Sequence, residues 1–275
     1  MRRAAGASLT VLTWVVVLVL AFPLLWMVST AFKPQAELFA TPPSLVPAHP
    51  TLGNFVQVLT TTNFGAYFAN SLLVAAITTL LTLAVATTGA YGLLAFRFPG
   101  RTLIARALLF SYLLPASVLL IPVYLTVARL GLTNTLAGLV LAYVTFTLPF
   151  ALWLMRSFLA ALPVELEAAA AVDGASRFAV FLDIVVPQAL PGLVTTAIFS
   201  FILAWNEYLY ALVIISRDAR KTLPPGITTT LVTGYNVEWG MVMAASVLMS
   251  LPLLLVFLLL QRHLVRGFGS GALKG

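Results

Sequence analysis

Side chains that could carry out chemistry are few in this chain and far apart. Its 275 residues include eight Asp and Glu, two His and no Cys. Without Cys there is no disulfide, thiolate metal site or cysteine nucleophile. His49 and His263 lie far apart in sequence, which gives little support to a His-based metal or acid–base site. No Gly-Lys pair occurs, so a P-loop is missing as well. We expect no catalytic residue, metal ion or cofactor in this chain.

The composition indicates that lipid is the solvent for most of the chain. Hydrophobic residues make up 61% and charged residues 8%, with a mean hydropathy of +1.05, whereas soluble domains hold about 25% charged residues. The charges form short clusters between long uncharged runs, so the net charge of +7 points to membrane topology and not to nucleic acid. We expect an all-α, polytopic integral membrane protein that forms a single domain over residues 1–275.

Six apolar stretches are long enough to cross a bilayer, because about 20 helical residues span its core. The predicted spans are residues 10–32, 69–96, 107–128, 135–155, 192–215 and 239–261. Pro115, Pro122 and Pro149 are expected to kink these helices and not to end them. The proline-rich residues 33–68 are typical of an extended loop outside the bilayer. The stretch richest in charge, residues 156–191, separates the fourth and fifth spans.

The distribution of basic residues predicts the orientation of the chain. With the N-terminus in the cytoplasm, ten of the 15 Lys and Arg residues fall inside and five outside. The positive-inside rule therefore favours N-in and C-in. Arg217, Arg220 and Lys221 disagree with this orientation, because they lie in the predicted outer loop of residues 216–238.

The charged segment between the fourth and fifth spans predicts a helix, a tight turn and a second helix on the cytoplasmic face. Pro163 suits the first helical position, and Glu165 and Glu167 favour the positive end of the helix dipole. The alanines that follow propagate the helix. Gly174 permits the positive φ that ends such a helix, and Ser176 can cap the next one.

This segment resembles the EAA loop of ABC importer permeases, in which Glu-Ala-Ala is followed by Gly and further on by Leu-Pro. The residues that match the motif are Ala169, Ala170, Asp173, Gly174 and Pro187. Ala168 stands where the motif has its glutamate, and Glu167 is one residue earlier. The likeness extends to the first loop (Ser29–Ala40 and Pro50–Asn54), to Ala204–Tyr210 and to the tail (Gln261–Gly275). The chain is thus similar to the second permease of maltose-type and glycerol-phosphate-type carbohydrate importers.

The resemblance implies a set of partners in the inner (cytoplasmic) membrane of a prokaryote. A homologous but different permease would complete the translocation pathway for a sugar, and an extracytoplasmic sugar-binding protein would dock outside. An ATPase dimer would carry ATP and Mg²⁺ and would dock on the EAA-type loop, whose helix is the coupling helix. The residues that the resemblance assigns to ATPase coupling are Glu165, Glu167, Ala169, Ala170, Asp173 and Gly174.

Three further groups of residues have candidate roles, the first from the chemistry of its side chains and the other two from the same resemblance. Aromatic faces with polar tips suit sugar rings, so the substrate path would include Trp205, Asn206, Glu207, Tyr208 and Tyr210. The alternative for Glu207 is a place in an aromatic belt at the outer interface. A loop in contact with the binding protein would include Thr228, Thr229, Thr233 and Gly234, which otherwise form a solvated connection. A tail along the ATPase interface would include Gly269, Gly271 and Lys274, although glycine-rich ends are often disordered.

Other functions remain open at the level of sequence. An ABC permease for a solute other than a sugar would have the same fold and the same coupling loop. An ion-coupled secondary transporter would normally need ion-binding groups near the bilayer midplane, where this chain has almost none. A membrane-embedded enzyme would need a nucleophile with a base, and no such pair is recognisable.

Overall fold

The chain folds into helices joined by short turns and one small hairpin. A computed structural model describes residues 2–269 except 164, 166, 168, 169, 171, 173 and 235. Side chains are described for residues 10–259, except at those seven positions and at position 236. The long helices are α1 (Arg2–Ala31), α4 (Phe64–Ala95), α7 (Leu136–Leu159), α10 (Leu190–Trp205) and α13 (Trp239–Gly269). Shorter helices are α2 (Gln35–Leu38), α3 (Gly53–Thr61), α5 (Arg101–Tyr112), α6 (Ala116–Arg129), α8 (Arg177–Ala179), α9 (Val186–Gln188), α11 (Leu209–Ile214) and α12 (Leu223–Leu231). A π-helix (Val180–Val185) joins α8 to α9, and strands β1 (Val232–Thr233) and β2 (Asn236–Val237) pair antiparallel.

Up to six membrane spans are present in the described part of the chain. Four helical stretches are long and apolar enough to cross a bilayer: Thr10–Ala31, Phe64–Ala95, Leu136–Leu159 and Trp239–Leu259. Two bent pairs of helices, each counted as one span, bring the number to six. The all-α, polytopic architecture predicted from the sequence is therefore confirmed.

The predicted third span, residues 107–128, is not one continuous helix. α5 ends at Tyr112, α6 begins at Ala116, and the two helices meet at 106°. Pro115 occupies the N-cap of α6, has no N–H to donate and disfavours the helical conformation of the residue before it. We expected Pro115 to kink a helix, but it lies between two separate ones. Pro122 and Pro149, in contrast, lie inside α6 and α7 as expected.

The predicted fifth span, residues 192–215, is also interrupted. α10 ends at Trp205 and α11 begins at Leu209, so three residues break the helix. At its other end, α10 meets the segment Arg177–Gln188 at 74°, with Pro191 in the first turn of α10. Both breaks place irregular backbone next to residues that the sequence had singled out as functional.

The chain divides into two compact units. One holds the residues up to Gly65 together with Gly226–Leu251, and the other holds Ala66–Pro225 and the residues from Pro252. Residues 33–68 are not an extended loop as expected, because they contain α2, α3 and the start of α4. The buried amide of Asn54 donates to the carbonyl oxygens of Ala31 (2.9 Å) and Lys33 (2.8 Å), and this fixes α3 against the end of α1.

Helix α7 lies at the centre of the second unit. It packs against α5, α6, α10 and α11. A buried hydrogen bond of 2.8 Å between the hydroxyls of Thr82 and Thr147 joins it to α4. A Cβ atom at Gly192 would lie 2.5 Å from Cγ of Phe158, so α10 approaches α7 too closely for any larger residue at this position. The two candidate sites are both built on this unit.

Candidate coupling surface and translocation path

The segment between α7 and α10 has the predicted order of helix, turn and helix. Residues 165, 167, 170 and 172 are helical, and the N–H of Ala175 donates to the carbonyl of Ala170 at 3.0 Å. Gly174 then adopts φ +82°, a left-handed conformation that side chains disfavour. The hydroxyl of Ser176 accepts the N–H of Ala179 (3.2 Å) and caps the next helical stretch. Ala169 and Asp173 lie outside the described residues.

The inner face of this segment is attached to the membrane helices. The hydroxyl of Tyr91 on α4 donates to Oε2 of Glu167 at 3.2 Å, and the rings of Tyr91 and Phe181 lie 4.9 Å apart. Arg177 stacks over the ring of Phe96 at 5.2 Å. Ala170 belongs to a buried apolar cluster whose other members come from α4, α7 and the π-helix, together with Ala189 between α9 and α10. Glu167 therefore contacts α4 and does not project from the segment.

The outer face of the segment is apolar and exposed. Val172 has 87% of its surface exposed and Phe178 has 71%, and Leu182 on the π-helix is also exposed. Gly174 is exposed between Val172 and Phe178 in the sequence, and beyond its chain neighbours no described residue has an atom within 4 Å of where its Cβ would be. Exposed apolar side chains on a segment that the sequence predicts to lie outside the bilayer indicate a binding surface. The sequence analysis missed Val172 and Phe178, although each is an apolar residue within a charged, non-spanning stretch. We call Val172, Gly174 and Phe178 the coupling surface.

A second candidate site lies at the break between α10 and α11. The carboxylate of Glu207 accepts the backbone N–H groups of Tyr210 (2.7 Å) and Ala211 (3.1 Å), so it caps α11 from within the break. The hydroxyl of Tyr143 lies between this carboxylate and the hydroxyl of Thr222 and is close to both. Both hydroxyls are buried, and neither makes a hydrogen bond of acceptable geometry to a described residue. Buried polar groups without partners are uncommon and often mark a site that binds a ligand or water.

The other residues predicted for the substrate path differ in their exposure. Trp205 is buried in ring contacts with Phe68 and Phe201. Tyr210 is buried too, and its hydroxyl donates to the carbonyl of Ala116 at 2.9 Å. In this conformation the rings of Trp205 and Tyr210 are both packed among the helices. Asn206 and Tyr208 are exposed.

The first residues of the predicted outer loop, 216–221, are held in place by hydrogen bonds to Asn134 and by an ion pair. Asn134 on the turn before α7 accepts through its side chain from the N–H groups of Ser216 (2.6 Å) and Arg217 (3.0 Å), and its carbonyl accepts from Arg220. Asp218 forms an ion pair with Lys221 (3.1 Å). The basic residues that disagree with the positive-inside rule are thus partly engaged in local structure.

The residues predicted to contact the binding protein come after residues 216–221 in the sequence. Thr229, Thr233 and Gly234 are exposed and Thr228 is half-buried. Thr228 and Thr229 lie on α12, Thr233 on β1, and Gly234 in the turn of the hairpin with φ +60°. In the tail, Gly269 is the last residue of α13, and Gly271 and Lys274 lie outside the described residues.

Comparison with known proteins decides the family. The family of binding-protein-dependent transport system inner membrane components matches residues 85–270, which include the coupling surface and the break between α10 and α11. The chain belongs to this family. It is 37% identical to the trehalose/maltose transport system permease MalG of Thermococcus litoralis, over 92% of this chain and 91% of the relative. It is 36% identical to the diacetylchitobiose uptake system permease DasC of Streptomyces coelicolor, over 93% and 92%.

A solved structure shows the same fold. This inner membrane component superposes on a chain of a bacterial ABC transporter involved in the import of the acidic polysaccharide alginate, with a TM-score of 0.81. The match covers 94% of this chain and 96% of that chain, at 22% sequence identity. The family membership and its apolar helices identify a multi-pass membrane transport component. The carbohydrate-permease resemblance found in the motifs is therefore confirmed at the level of family.

Proposed function

We propose that this chain is one of two permease subunits of an ATP-driven importer for a sugar, in the size range of a disaccharide or short oligosaccharide. Two of its relatives are named for the uptake of trehalose or maltose and of diacetylchitobiose. A non-sugar cargo is the second candidate, because fold and coupling loop would be the same. A second, homologous permease would complete the pathway.

The observation that carries the proposal is the two-faced segment between α7 and α10. Its inner face is held to the membrane helices by Glu167, Phe181 and Arg177, and its outer face exposes Val172 and Phe178. A segment with one exposed apolar face and one face attached to the membrane helices is suited to bind a separate protein and to transmit that protein's movement. We assign this partner as the ATPase dimer, which would carry ATP and Mg²⁺.

The contacts of the segment suggest how movement would reach the membrane. ATP binding would close the ATPase subunits and displace the coupling surface. The ring contact between Phe181 and Tyr91 and the hydrogen bond from Tyr91 to Glu167 would pass this displacement to α4. Close-packed interiors shift between discrete arrangements and do not deform smoothly, so a small displacement can reorient a span. Hydrolysis would restore the first arrangement.

The solute would pass the break between α10 and α11. Glu207 offers a carboxylate that accepts hydrogen bonds, and Tyr143 and Thr222 offer buried hydroxyls that make no hydrogen bond of acceptable geometry to a described residue. Sugar hydroxyls both donate and accept, so they can satisfy such a cluster. Tyr208, exposed beside Glu207, offers an aromatic face. Contact with the sugar-binding protein would fall to the exposed residues Thr229, Thr233 and Gly234.

Uptake by reconstituted transporter tests the proposal. The chain is co-expressed with its partner permease, ATPase and binding protein, and ATP-dependent uptake is measured in proteoliposomes over a panel of labelled disaccharides and non-sugar solutes. The variant Gly174→Trp places a bulky ring in the centre of the coupling surface. The matched control is Gly100→Trp, because Gly100 has a similar φ of +85° and equally open surroundings.

We expect uptake of at least one sugar that requires both ATP and binding protein. Gly174→Trp should abolish this uptake and release the ATPase from the membrane, while Gly100→Trp should keep both. Equal loss in the two variants would mean that backbone strain, and not the coupling surface, is responsible. Uptake driven by an ion gradient without ATP would contradict the proposal as a whole.

A further inference from the structure

A pocket in the first unit has no role in the function proposed above. It lies where α1 ends and α13 begins, and its volume is about 280 Å³. The lining residues are Trp26, Thr30, Lys33, Leu38, Phe39, Trp239 and Met243. All of them belong to the same compact unit. The pocket is thus formed within one unit of this chain.

The charge in this pocket is a buried ammonium group. Lys33 is only 2% exposed, its Nζ lies 4.5 Å above the ring of Trp26, and it donates to the carbonyl of Ser44. An ammonium group carries three donors, and a buried charge is costly unless it is paired. In the part of the chain that the structure describes, Lys33 makes no ion pair.

The nearest acid in sequence is already engaged. The carboxylate of Glu37 accepts the backbone N–H groups of Ala48 (3.0 Å) and His49 (2.9 Å), which fold the proline-rich stretch back onto α2. No acidic side chain lines the pocket. The positive charge of Lys33 is therefore balanced only by a carbonyl and an aromatic ring within the described residues.

The pocket also holds a hydroxyl that has no hydrogen-bond partner among the described residues. Thr30 is 7% exposed, and its hydroxyl makes no hydrogen bond to a described residue. Thr30 and Lys33 are three residues apart at the end of α1 and line the same pocket. A hydroxyl and an ammonium group together provide donors for an anionic oxygen, as found in phosphate sites.

The surroundings of the pocket favour a lipid as the source of the anion. The span Thr10–Ala31 has none of its most apolar stretch buried by this chain, and the span Trp239–Leu259 has little, so both leave apolar surface that this chain does not cover. The pocket lies at the predicted outer ends of these two spans. Trp26 and Trp239 at its rim have the amphipathic rings that concentrate at the level of lipid headgroups. Acyl chains could lie along the exposed helices while the headgroup occupies the pocket.

We infer that this pocket binds the phosphate of an anionic phospholipid headgroup through Lys33 and Thr30. Lys33 would supply the charge, Thr30 a directed hydrogen bond, and the two tryptophans the walls. Binding would hold α1 and α13 to the outer leaflet next to the loop that follows α1. This site is independent of sugar transport and of the ATPase.

Native mass spectrometry of the complete transporter tests this inference. The purified complex is titrated with phosphatidylglycerol or phosphatidylcholine, and retention per complex is compared for wild type, Lys33→Gln, Lys33→Arg and Thr30→Val. Lys221→Gln is the matched control, since it removes a positive charge that is predicted to lie on the same side of the membrane. Excess inorganic phosphate, added with and without lipid, distinguishes a headgroup from free phosphate.

We expect wild type to retain phosphatidylglycerol in preference to phosphatidylcholine. Lys33→Gln should weaken this retention about tenfold, as for a charge-assisted hydrogen bond, and Lys33→Arg should preserve most of it. Thr30→Val keeps the shape of the side chain and should weaken retention about threefold. Lys221→Gln should have no effect.

Three outcomes would overturn the inference. The first is equal retention by wild type, Lys33→Gln and Thr30→Val. The second is binding of inorganic phosphate by the lipid-free complex with no preference between the two phospholipids. The third is unchanged lipid retention with a weaker affinity of Lys33→Gln for the binding protein, which would identify a protein carboxylate as the partner of Lys33.

Discussion

Replacing Phe178 by alanine should weaken the attachment of the ATPase. Full burial of an aromatic or large aliphatic side chain contributes about 1.5 to 3 kcal/mol. Phe178 is 71% exposed, so docking of the ATPase can bury at most about 70% of the surface of this residue. The burial would therefore contribute about 1 to 2 kcal/mol to the binding free energy. At 1.4 kcal/mol per factor of ten, the dissociation constant should rise about 6- to 30-fold.

The affinity is measured for purified ATPase binding to the two permeases in lipid nanodiscs, by biolayer interferometry. Phe257→Ala provides the control, because Phe257 is also an exposed phenylalanine, 52% exposed, but lies within the candidate span Trp239–Leu259. Its replacement should leave the dissociation constant unchanged. If both variants bind the ATPase as wild type does, the exposed apolar face of the segment is not the docking surface. A loss of similar size in both would point to a general effect on the membrane domain.

Two more predictions concern packing, and both are measured as thermal stability of the purified complex. Gly192→Ala should lower stability by about 1 to 3 kcal/mol, because the added Cβ atom would overlap the ring of Phe158. The control is Gly92→Ala, which should be neutral or stabilising, because its added Cβ atom would have no described atom of another part of the chain within 4 Å. Asn54→Ala removes two buried hydrogen bonds and should cost about 1 to 3 kcal/mol and speed proteolysis of the first loop. Gln57→Ala, an exposed change on the same helix, should do neither. Unchanged proteolysis in Asn54→Ala would show that its amide does not hold the loop.

The sequence was most informative where a structural property depends on neighbouring residues. Long apolar runs predicted the spans, and Gly174 and Ser176 predicted the turn and cap that the structure contains. The interruptions were predicted less well. Pro115 separates two helices, while Pro149 lies inside one, although both carry the same backbone restriction. Only the packing around each proline distinguishes the two outcomes.

The candidate sites depended more on tertiary structure. The sequence indicated Glu167 and Glu207 as functional, but not what each contacts. Glu167 accepts from Tyr91, which is 76 residues away, and Glu207 caps α11 and lies beside Tyr143. Trp205, predicted to line a path, is buried between other rings. These contacts are between residues that are far apart in the sequence. Hydropathy and motif spacing carry no information about such contacts.

By itself, the sequence determined that the chain is a polytopic membrane protein and identified the segment that carries the permease motif. Both follow from local physics, because a backbone in lipid must form its hydrogen bonds within each segment. Tertiary structure alone decided which face of that segment is exposed, and that Lys33 is buried without an acidic partner in the described residues. Exposure and pairing result from contacts between segments far apart in sequence, so they exist only once the helices have packed.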